Sequence, residues 1–450
     1  MTVSARAMAA ATPTARDRYV DLLRVASLAT VVLGHWLMAA VSGDGMGNLL
    51  ALVPPLQVLT WALQVMPVFF FVGGFSHALS YRSLERRYPG RPGYAVFLRA
   101  RLRRLLRPTL VFVLVWAALA LAVQLAGHGG GPLAGAALRT VTQPLWFIGI
   151  YLAMVALTPP LLRLHARHGW AAFAALAGAA ALVDVLRFAL GVPYVEFLNF
   201  ALVWLAVHQL GFLRADGRIT RPALLGAAGL AGAVLLVAFG PYPLSMVGMP
   251  GEKVSNMAPP TLALLCHGMW LVGAVQLLAR PAGAWLARPR VWHGVVAANG
   301  IAMTAFLWHL TAMLGVYAGQ LLLGMALPEP ATGAWWAQVP VRILLAAVLT
   351  ALLVACFRRF EAPGAAARGA VSDAVRDEGP GSGPLAAAGI TLCLLGILGL
   401  SMTGLGGLLQ GHSAVLIALP VTAPAAIGMA VGGAWLVERS GSARRVRLRG

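Results

Sequence analysis

The sequence predicts an all-α integral membrane protein, and three observations indicate this class. Hydrophobic residues make up 60% of the 450 residues and charged residues only 11%, whereas about 25% charged residues is usual in soluble domains. The mean hydropathy is +0.80. The long Leu, Ala and Val runs do not alternate apolar with polar residues, so helices rather than the strands of a β-barrel are expected to cross the membrane.

Twelve apolar segments have the length of about 20 residues that a helix needs to cross a bilayer. Ten of them form a predicted core within residues 16–360, and they lie near 20–41, 56–80, 107–127, 144–164, 169–190, 196–213, 222–240, 260–279, 295–323 and 338–357. Two additional C-terminal transmembrane helices are expected within residues 385–437, near 385–404 and 414–437.

Composition also predicts the segments outside the membrane. Residues 361–384 are small, polar and rich in Pro and Gly, which is typical of a flexible linker. Residues 1–15 and the basic residues 438–450 are expected to be tails. Most of the 34 Lys and Arg residues fall on one side of the twelve-span map, and the positive-inside rule makes that side the cytoplasm. A multi-pass protein of the cytoplasmic membrane with both termini and the linker in the cytoplasm is therefore expected.

The net charge of +20 does not indicate a nucleic-acid partner, because the basic residues fall in short segments between apolar runs. The three cysteines, Cys266, Cys356 and Cys393, lie in apolar runs without the spacing of metal ligands. Neither a disulfide framework nor a metal site is predicted. The expected surroundings are the lipid bilayer.

The first span carries ionisable residues that a purely structural membrane helix avoids, namely Asp21, Arg24 and His35. Arg24 and His35 are eleven residues apart, so at about 100° per residue they share one helix face about 16 Å apart along the axis. Asp21 precedes Arg24 by one turn. Ionisable groups at membrane depth usually have a function. The alternative is that Arg24 reaches the headgroups with Asp21 as its partner and that His35 is an ordinary core histidine.

The segment from Tyr81 to Arg107 is the most basic part of the chain and is expected to be a loop. Arg101 and Arg104, one helical turn apart, can form a fork that holds phosphates. Arg104 with Arg107 is an alternative pair. A topology signal or a patch for anionic lipids would also account for these charges.

Further polar residues lie in later spans. Trp146 opens the fourth span, where an interfacial anchor is the common alternative to a site role. His309 lies in the middle of the ninth span and requires a partner. Asp184 and Arg187 are three residues apart in the fifth span, which predicts an ion pair that is more often structural than functional. A long loop that begins at Pro241 is a candidate lid or acceptor-contact loop.

Several of these segments resemble the membrane-bound family called acyltransferase 3. In that family an Arg, ten residues and a His mark the first span, as Arg24 and His35 do here after Asp21. The segment Pro67–Phe75 is similar to the family's Pro-x-Phe-Phe-x-x-Ser-Gly-Phe, except that Gly73 stands where Ser is usual, so a hydroxyl is missing.

The resemblance extends to three later segments. Arg101 and Arg104, followed by Pro108, match an Arg-x-x-Arg pair that the family associates with its acyl-CoA donor. The Leu-Trp-Phe around Trp146 and the Leu-Trp-His that ends at His309 are also similar to family segments. The resemblance covers about residues 16–360.

The resemblance implies an O-acyltransferase that moves an acyl group, expected to be acetyl, from acyl-CoA to a hydroxyl of a carbohydrate, glycan, lipid or secondary metabolite. His35 would be the general base, because a neutral imidazole near pH 7 can take the proton of a hydroxyl. Arg24 would orient the acceptor or stabilise developing negative charge. Arg101 and Arg104 would hold acyl-CoA, which is a co-substrate and not a tightly bound cofactor. Further candidates to line the site are Asp21, Trp146 and His309.

A transporter or flippase is the competing class, in which the intramembrane charged residues would line a substrate or proton path. No inverted repeat is visible in the sequence, and a cluster of Arg in one segment suits a nucleotide-bearing donor better. A degenerate family member that serves as a membrane scaffold is a third alternative, which the presence of Arg24 and His35 disfavours.

Overall fold

The computed structural model describes residues 17–42, 45–87, 93–127, 132–249, 252–361, 382–416 and 419–440. The chain forms two compact units. Of the described residues, the first unit contains those up to Leu79, those in Pro160–Ala302 and those in Gly319–Leu345. The second contains those in Ser80–Pro159, Met303–Ala318 and from Ala346 onward.

Helices dominate the described residues. The first eight are α1 (Arg18–Met38), α2 (Leu49–Leu52), α3 (Thr60–Leu63), α4 (Met66–Arg87), α5 (Gly93–Leu125), α6 (Pro132–Thr140), α7 (Pro144–His168) and α8 (Trp170–Phe188). The others are α9 (Asn199–Ala215), α10 (Pro222–Phe239), α11 (Leu262–Leu277), α12 (Ala279–Leu286), α13 (Pro289–Asn299), α14 (Ala302–Leu322), α15 (Gly333–Phe357), α16 (Gly383–Thr403) and α17 (Ala423–Ser440). Short 3₁₀ helices cover Pro54–Leu59, Val195–Leu198 and Arg358–Phe360.

Among the described residues, two antiparallel strand pairs lie between helices. Strand β1 (Ala39–Ser42) pairs with β2 (Gly45–Asn48) directly after α1. Strand β3 (Ser413–Leu416) pairs with β4 (Leu419–Thr422) between α16 and α17.

The all-α membrane class is confirmed. Within the described residues, ten helices are long and apolar enough to cross a membrane, or eleven if the bent pair of α11 and α12 forms one span. The twelfth expected span, 414–437, is wrong in its bounds, because β3 and β4 occupy its first part. Helix α17 follows these strands and carries Glu438 and Arg439 in its last turn, before it ends at Ser440.

Two other boundaries also differ from the expectation. Helix α5 begins at Gly93 instead of 107, so the arginine-rich segment is helical and not a loop. Arg and Leu are good helix formers, and Phe97, Leu98, Leu102 and Leu105 give this segment a buried face. The ninth expected span, 295–323, is divided into α13 and α14 by a break at Gly300.

Much of the expected linker at 361–384 lies outside the described residues, which include only 361 and 382–384 of it. The N-terminal tail and residues 441–450 also lie outside them.

Glycines allow α4 and α9 to approach closely in the first unit. A side chain on Gly74 would collide with the carbonyl of His208 in α9. A side chain on Gly211 would collide with the carbonyl of Phe71 in α4. This contact holds α4 in place, and α4 carries a residue of the candidate site described next.

Candidate active site

The start of α1 is held by Asp17. Its carboxylate caps the helix by accepting hydrogen bonds from the backbone N–H groups of Tyr19 and Val20. It also accepts a hydrogen bond of 2.8 Å from Nη2 of Arg214, at the end of α9. Capping and charge pairing together fix the end of α1 from which the polar face begins.

The polar face of α1 belongs to a network that includes three helices. Arg24 donates from Nη1 to Oδ1 of Asp21 (3.2 Å) and from Nη2 to Oγ of Ser76 in α4 (2.9 Å). Asn299, at the end of α13, donates to the same Oδ1 of Asp21 (3.2 Å). Asp21 is 5% exposed and the Arg24 side chain is 25% exposed, so the carboxylate is buried in the protein whereas the guanidinium is partly accessible.

Arg24 points away from His35. Its guanidinium bonds to Asp21, one turn toward the start of α1, which is the usual direction for helical side chains. His35 lies in the last turn of the helix and is half-buried. Because α1 is continuous between them, the two residues are about 16 Å apart along its axis. The guanidinium of Arg24 and the imidazole of His35 therefore cannot both contact the same reacting group of a substrate.

Ser76 and Asn299 were not predicted as members of this site. The sequence did contain a signal for Ser76, because it follows Gly73 by three residues and thus lies on the same face of α4. The hydroxyl that is missing at Gly73 is present one turn later. Asn299 had no such signal, since its partner Asp21 is 278 residues away.

The arginines of α5 belong to the second unit and differ in the residues that they contact. Glu438 accepts from Nε of Arg103 at 2.6 Å and lies 3.6 Å from Nε of Arg99. The guanidinium of Arg107 lies over the ring of Phe360, 6.0 Å from its centroid. Arg104 lies close enough to Glu361 to favour the charged form of that carboxyl.

Glu361 caps the start of α14. Its carboxylate accepts hydrogen bonds from the backbone N–H of Met303 (3.1 Å) and Thr304 (2.9 Å), and from the Thr304 hydroxyl. Burial raises the pKa of Glu361, although these hydrogen bonds and Arg104 oppose the shift. Arg104 therefore lies near a carboxyl group with a structural role, that of Glu361.

Trp146 and His309 are linked through an aromatic cluster in the second unit. Phe147 contacts Phe306 edge to face, at 4.9 Å between ring centroids. Phe306 stacks on His309 at 5.7 Å, and its carbonyl bonds to Nδ1 of His309. His309 is fully buried. These contacts support the interpretation of His309 as a core histidine and leave Trp146, which is half-buried, beside the cluster.

Asp184 and Arg187 interact through their charges, but Asp184 forms its hydrogen bonds with other residues. Asp184 accepts hydrogen bonds from Asn199 (2.8 Å), from the Tyr242 hydroxyl (3.0 Å) and from the backbone N–H of Leu262 (2.7 Å). Burial, followed by the neighbouring Asp184, raises the pKa of Tyr242. Arg187 instead lies over the ring of Phe188. Asp184 thus has a structural role at the base of the long loop.

The loop that begins at Pro241 is held by several hydrogen bonds instead of being poised as a lid. Asn256 donates to the carbonyls of Pro243 (2.7 Å) and Ser245 (2.9 Å). Trp61 in α3 donates to the carbonyl of Leu244 (2.9 Å). A loop with so many bonds would have to break them to open, which disfavours the predicted lid.

The candidate residues are divided between the two units. Asp21, Arg24 and His35 belong to the first, whereas Arg101, Arg104, Trp146 and His309 belong to the second. The metal-ligating residue types within the described residues form no group of three or more that could hold a metal ion.

A multi-pass helical membrane protein with a polar first helix and an arginine-rich third span has the features expected of a membrane-bound acyltransferase. A family model described as an acyltransferase domain matches residues 17–359. The chain belongs to this family, which confirms the resemblance found in the sequence. No curated protein and no solved structure matched the chain.

Proposed function

We propose that the protein is an O-acyltransferase that moves an acyl group, expected to be acetyl, from acyl-CoA to a hydroxyl of a carbohydrate, glycan, lipid or secondary metabolite. The main support for this proposal is the hydrogen-bond network of Arg24, Asp21, Ser76 and Asn299, in which Arg24 and Asp21 lie on α1, the helix that also carries His35. Three helices contribute to holding one arginine. A hydrogen-bond network around an ionisable side chain is typical of a functional site in a membrane protein.

His35 is the proposed general base. Its neutral imidazole takes the proton of the acceptor hydroxyl while the oxygen attacks the thioester carbonyl carbon. The new C–O bond forms as the C–S bond breaks. The coenzyme A thiolate that leaves takes the proton from the imidazolium, so His35 returns to its neutral form.

Arg24 is proposed to bind a part of the ligand distant from the reacting carbonyl. Oxyanion stabilisation requires donors about 3 Å from the developing charge, and the separation from His35 does not allow this. A guanidinium has five N–H donors, of which Asp21 and Ser76 engage two. Of the two roles predicted for Arg24, orientation of a substrate is the better supported.

Arg101 and Arg104 are the proposed donor-binding pair. Arg101 lies about 160° around α5 from both Arg99 and Arg103, and about 60° from Arg104. Glu438 engages Arg99 and Arg103, which makes these two arginines the poorer candidates for the donor. Arg107, over Phe360, is the weaker member of the alternative pair. Cytoplasmic coenzyme A would require this end of α5 to face the cytoplasm.

The proposed function is tested by comparing cells with and without the gene. Mass spectrometry of surface glycans, lipids and secreted metabolites should show a product that differs from its precursor by one acyl group. The purified protein in nanodiscs should form that product from acetyl-CoA and the precursor, with release of free coenzyme A. A gene-dependent change in the location of a compound, with no change in its mass, would support the transporter class instead.

A further inference from the structure

Helices α16 and α17 lie beyond residues 17–359, the part of the chain that the family model matches. They form a tight antiparallel hairpin. A side chain on Gly396 would collide with the backbone of Ala430, and one on Gly433 with the backbone of Cys393. The N–H of Ser382 donates to the carbonyl of Ser440 (3.0 Å), which closes the hairpin at its base.

The hairpin is attached to α5 at the arginine-rich end. Both of its helices pack against α5. At that end, Glu438 of α17 bonds to Arg103 at 2.6 Å and pairs with Arg99 at 3.6 Å. Arg99 and Arg103 are four residues apart and share one side of α5, so the single carboxylate of Glu438 offsets part of the repulsion between two like charges.

The hairpin is also attached at the other end of α5. Gln124 donates from Nε2 to the carbonyl of Leu405 (3.2 Å) and accepts through Oε1 from the N–H of Leu409 (3.0 Å). Gln124 and Arg99 lie about 37 Å apart along α5. Two attachments at this separation fix the rotation of α5 about its axis as well as its position.

We infer that the C-terminal hairpin orients α5 for donor binding, with Glu438 as the positioning residue. By holding Arg99 and Arg103, Glu438 sets the rotation of α5 and thereby directs Arg101, about 160° away, and Arg104, about 100° from Arg103, toward the phosphates of the donor. This inference rests on the proposed function. It assigns to two helices outside the matched domain a role in binding of the co-substrate.

Reversing the charge of Glu438 distinguishes two explanations of its effect on coenzyme A binding: orientation of α5, and simple electrostatic attraction of the donor. Glu438→Arg adds positive charge close to an anion site, so attraction alone predicts tighter binding of coenzyme A. Orientation predicts the opposite, because the introduced guanidinium would repel Arg99 and Arg103 and release α5 from the hairpin. Glu438 is 41% exposed on its side chain, so the substitution does not bury a charge.

The experiment measures the Kd of coenzyme A by calorimetry for the full chain in nanodiscs at about 0.15 M salt. We expect Glu438→Arg and Arg103→Glu each to weaken binding by about fivefold or more. The reciprocal double variant, which restores an ion pair with the original net charge, should recover most of the affinity. Glu329→Arg, at an exposed position of the first unit, is the matched control and should bind like the wild type.

Tighter or unchanged binding by Glu438→Arg would overturn the inference, as would a double variant no better than Arg103→Glu. If Glu438→Arg does not yield folded protein, the Kd of coenzyme A is measured for Glu438→Gln instead. We expect weaker binding there too, and tighter or unchanged binding would overturn the inference. Wild-type protein that does not bind coenzyme A would instead overturn the donor assignment in the proposed function.

Discussion

Arg24 and Ser76 are joined by a hydrogen bond of 2.9 Å, although 52 residues separate them in the chain. The family segment has a serine at the position of Gly73, and this chain supplies a hydroxyl at Ser76, one turn further along α4. Together with Asp21, Ser76 keeps the Arg24 guanidinium in one orientation.

Replacing Ser76 with Ala should lower kcat/KM of acyl transfer by about tenfold or more, since a hydrogen bond to a charged group contributes about 1.5–3 kcal/mol. Ser76→Thr retains the hydroxyl and should keep most of the activity. The measurement is steady-state acyl transfer together with the melting temperature. Ser80→Ala, about one turn further along α4, is the control. Equal activity of Ser76→Ala and wild type would show that the bond is dispensable.

Replacing both Arg101 and Arg104 with Ala should weaken the binding of coenzyme A by a few kcal/mol, because each charge-assisted contact contributes about 1.5–3 kcal/mol. Lys at both positions should rescue binding only in part, since the planar fork is lost. Calorimetry with coenzyme A measures the effect. Arg167→Ala, an exposed arginine at the end of α7, controls for net charge. Unchanged affinity in the double variant would reassign these arginines to topology or lipid contact.

The charge asymmetry predicts that both termini and the linker are cytoplasmic. In a variant without Cys266, Cys356 and Cys393, a cysteine at Gly381 should react with an impermeant maleimide only after the membrane is permeabilised. A cysteine at Glu329, in the connection between α14 and α15, should react in intact cells. Labelling at Gly381 in intact cells would contradict the topology.

Glu361 predicts a pH dependence of stability. Because its pKa is raised in the folded protein, the folded state holds its proton more tightly than the unfolded chain. Its contribution to stability is therefore largest below the ordinary Glu pKa of about 4.3 and declines as pH rises toward the raised value. The melting temperature of the wild type, relative to Glu361→Gln, should fall across that window. A constant difference between the two proteins would contradict the raised pKa.

The sequence predicted the membrane class, most helices and the polar face of α1, because length, apolar runs and helical spacing determine these features locally. It could not show that Asp184 bonds to Tyr242 and Leu262 instead of Arg187, since those partners are distant in the chain. The same holds for Glu438, which lies 335 residues from Arg103. The loop expected at Tyr81–Arg107 is helical at Tyr81–Arg87 and from Gly93 onward. Its charges indicated a loop, but Arg and Leu are good helix formers and its apolar side chains form a buried face.

The proposed role of His35 as a general base is tested by acyl transfer in the His35→Ala, His35→Gln and His35→Asn variants, with the yield of folded protein measured in parallel. We predict that all three fold and bind coenzyme A, that turnover falls by about two to four orders of magnitude, and that wild-type activity rises with pH as the imidazole becomes neutral. If His35 were structural, Gln or Asn would restore activity through hydrogen bonding and Ala would reduce the yield instead of the turnover. A folded, fully active His35→Ala protein would contradict the proposed mechanism.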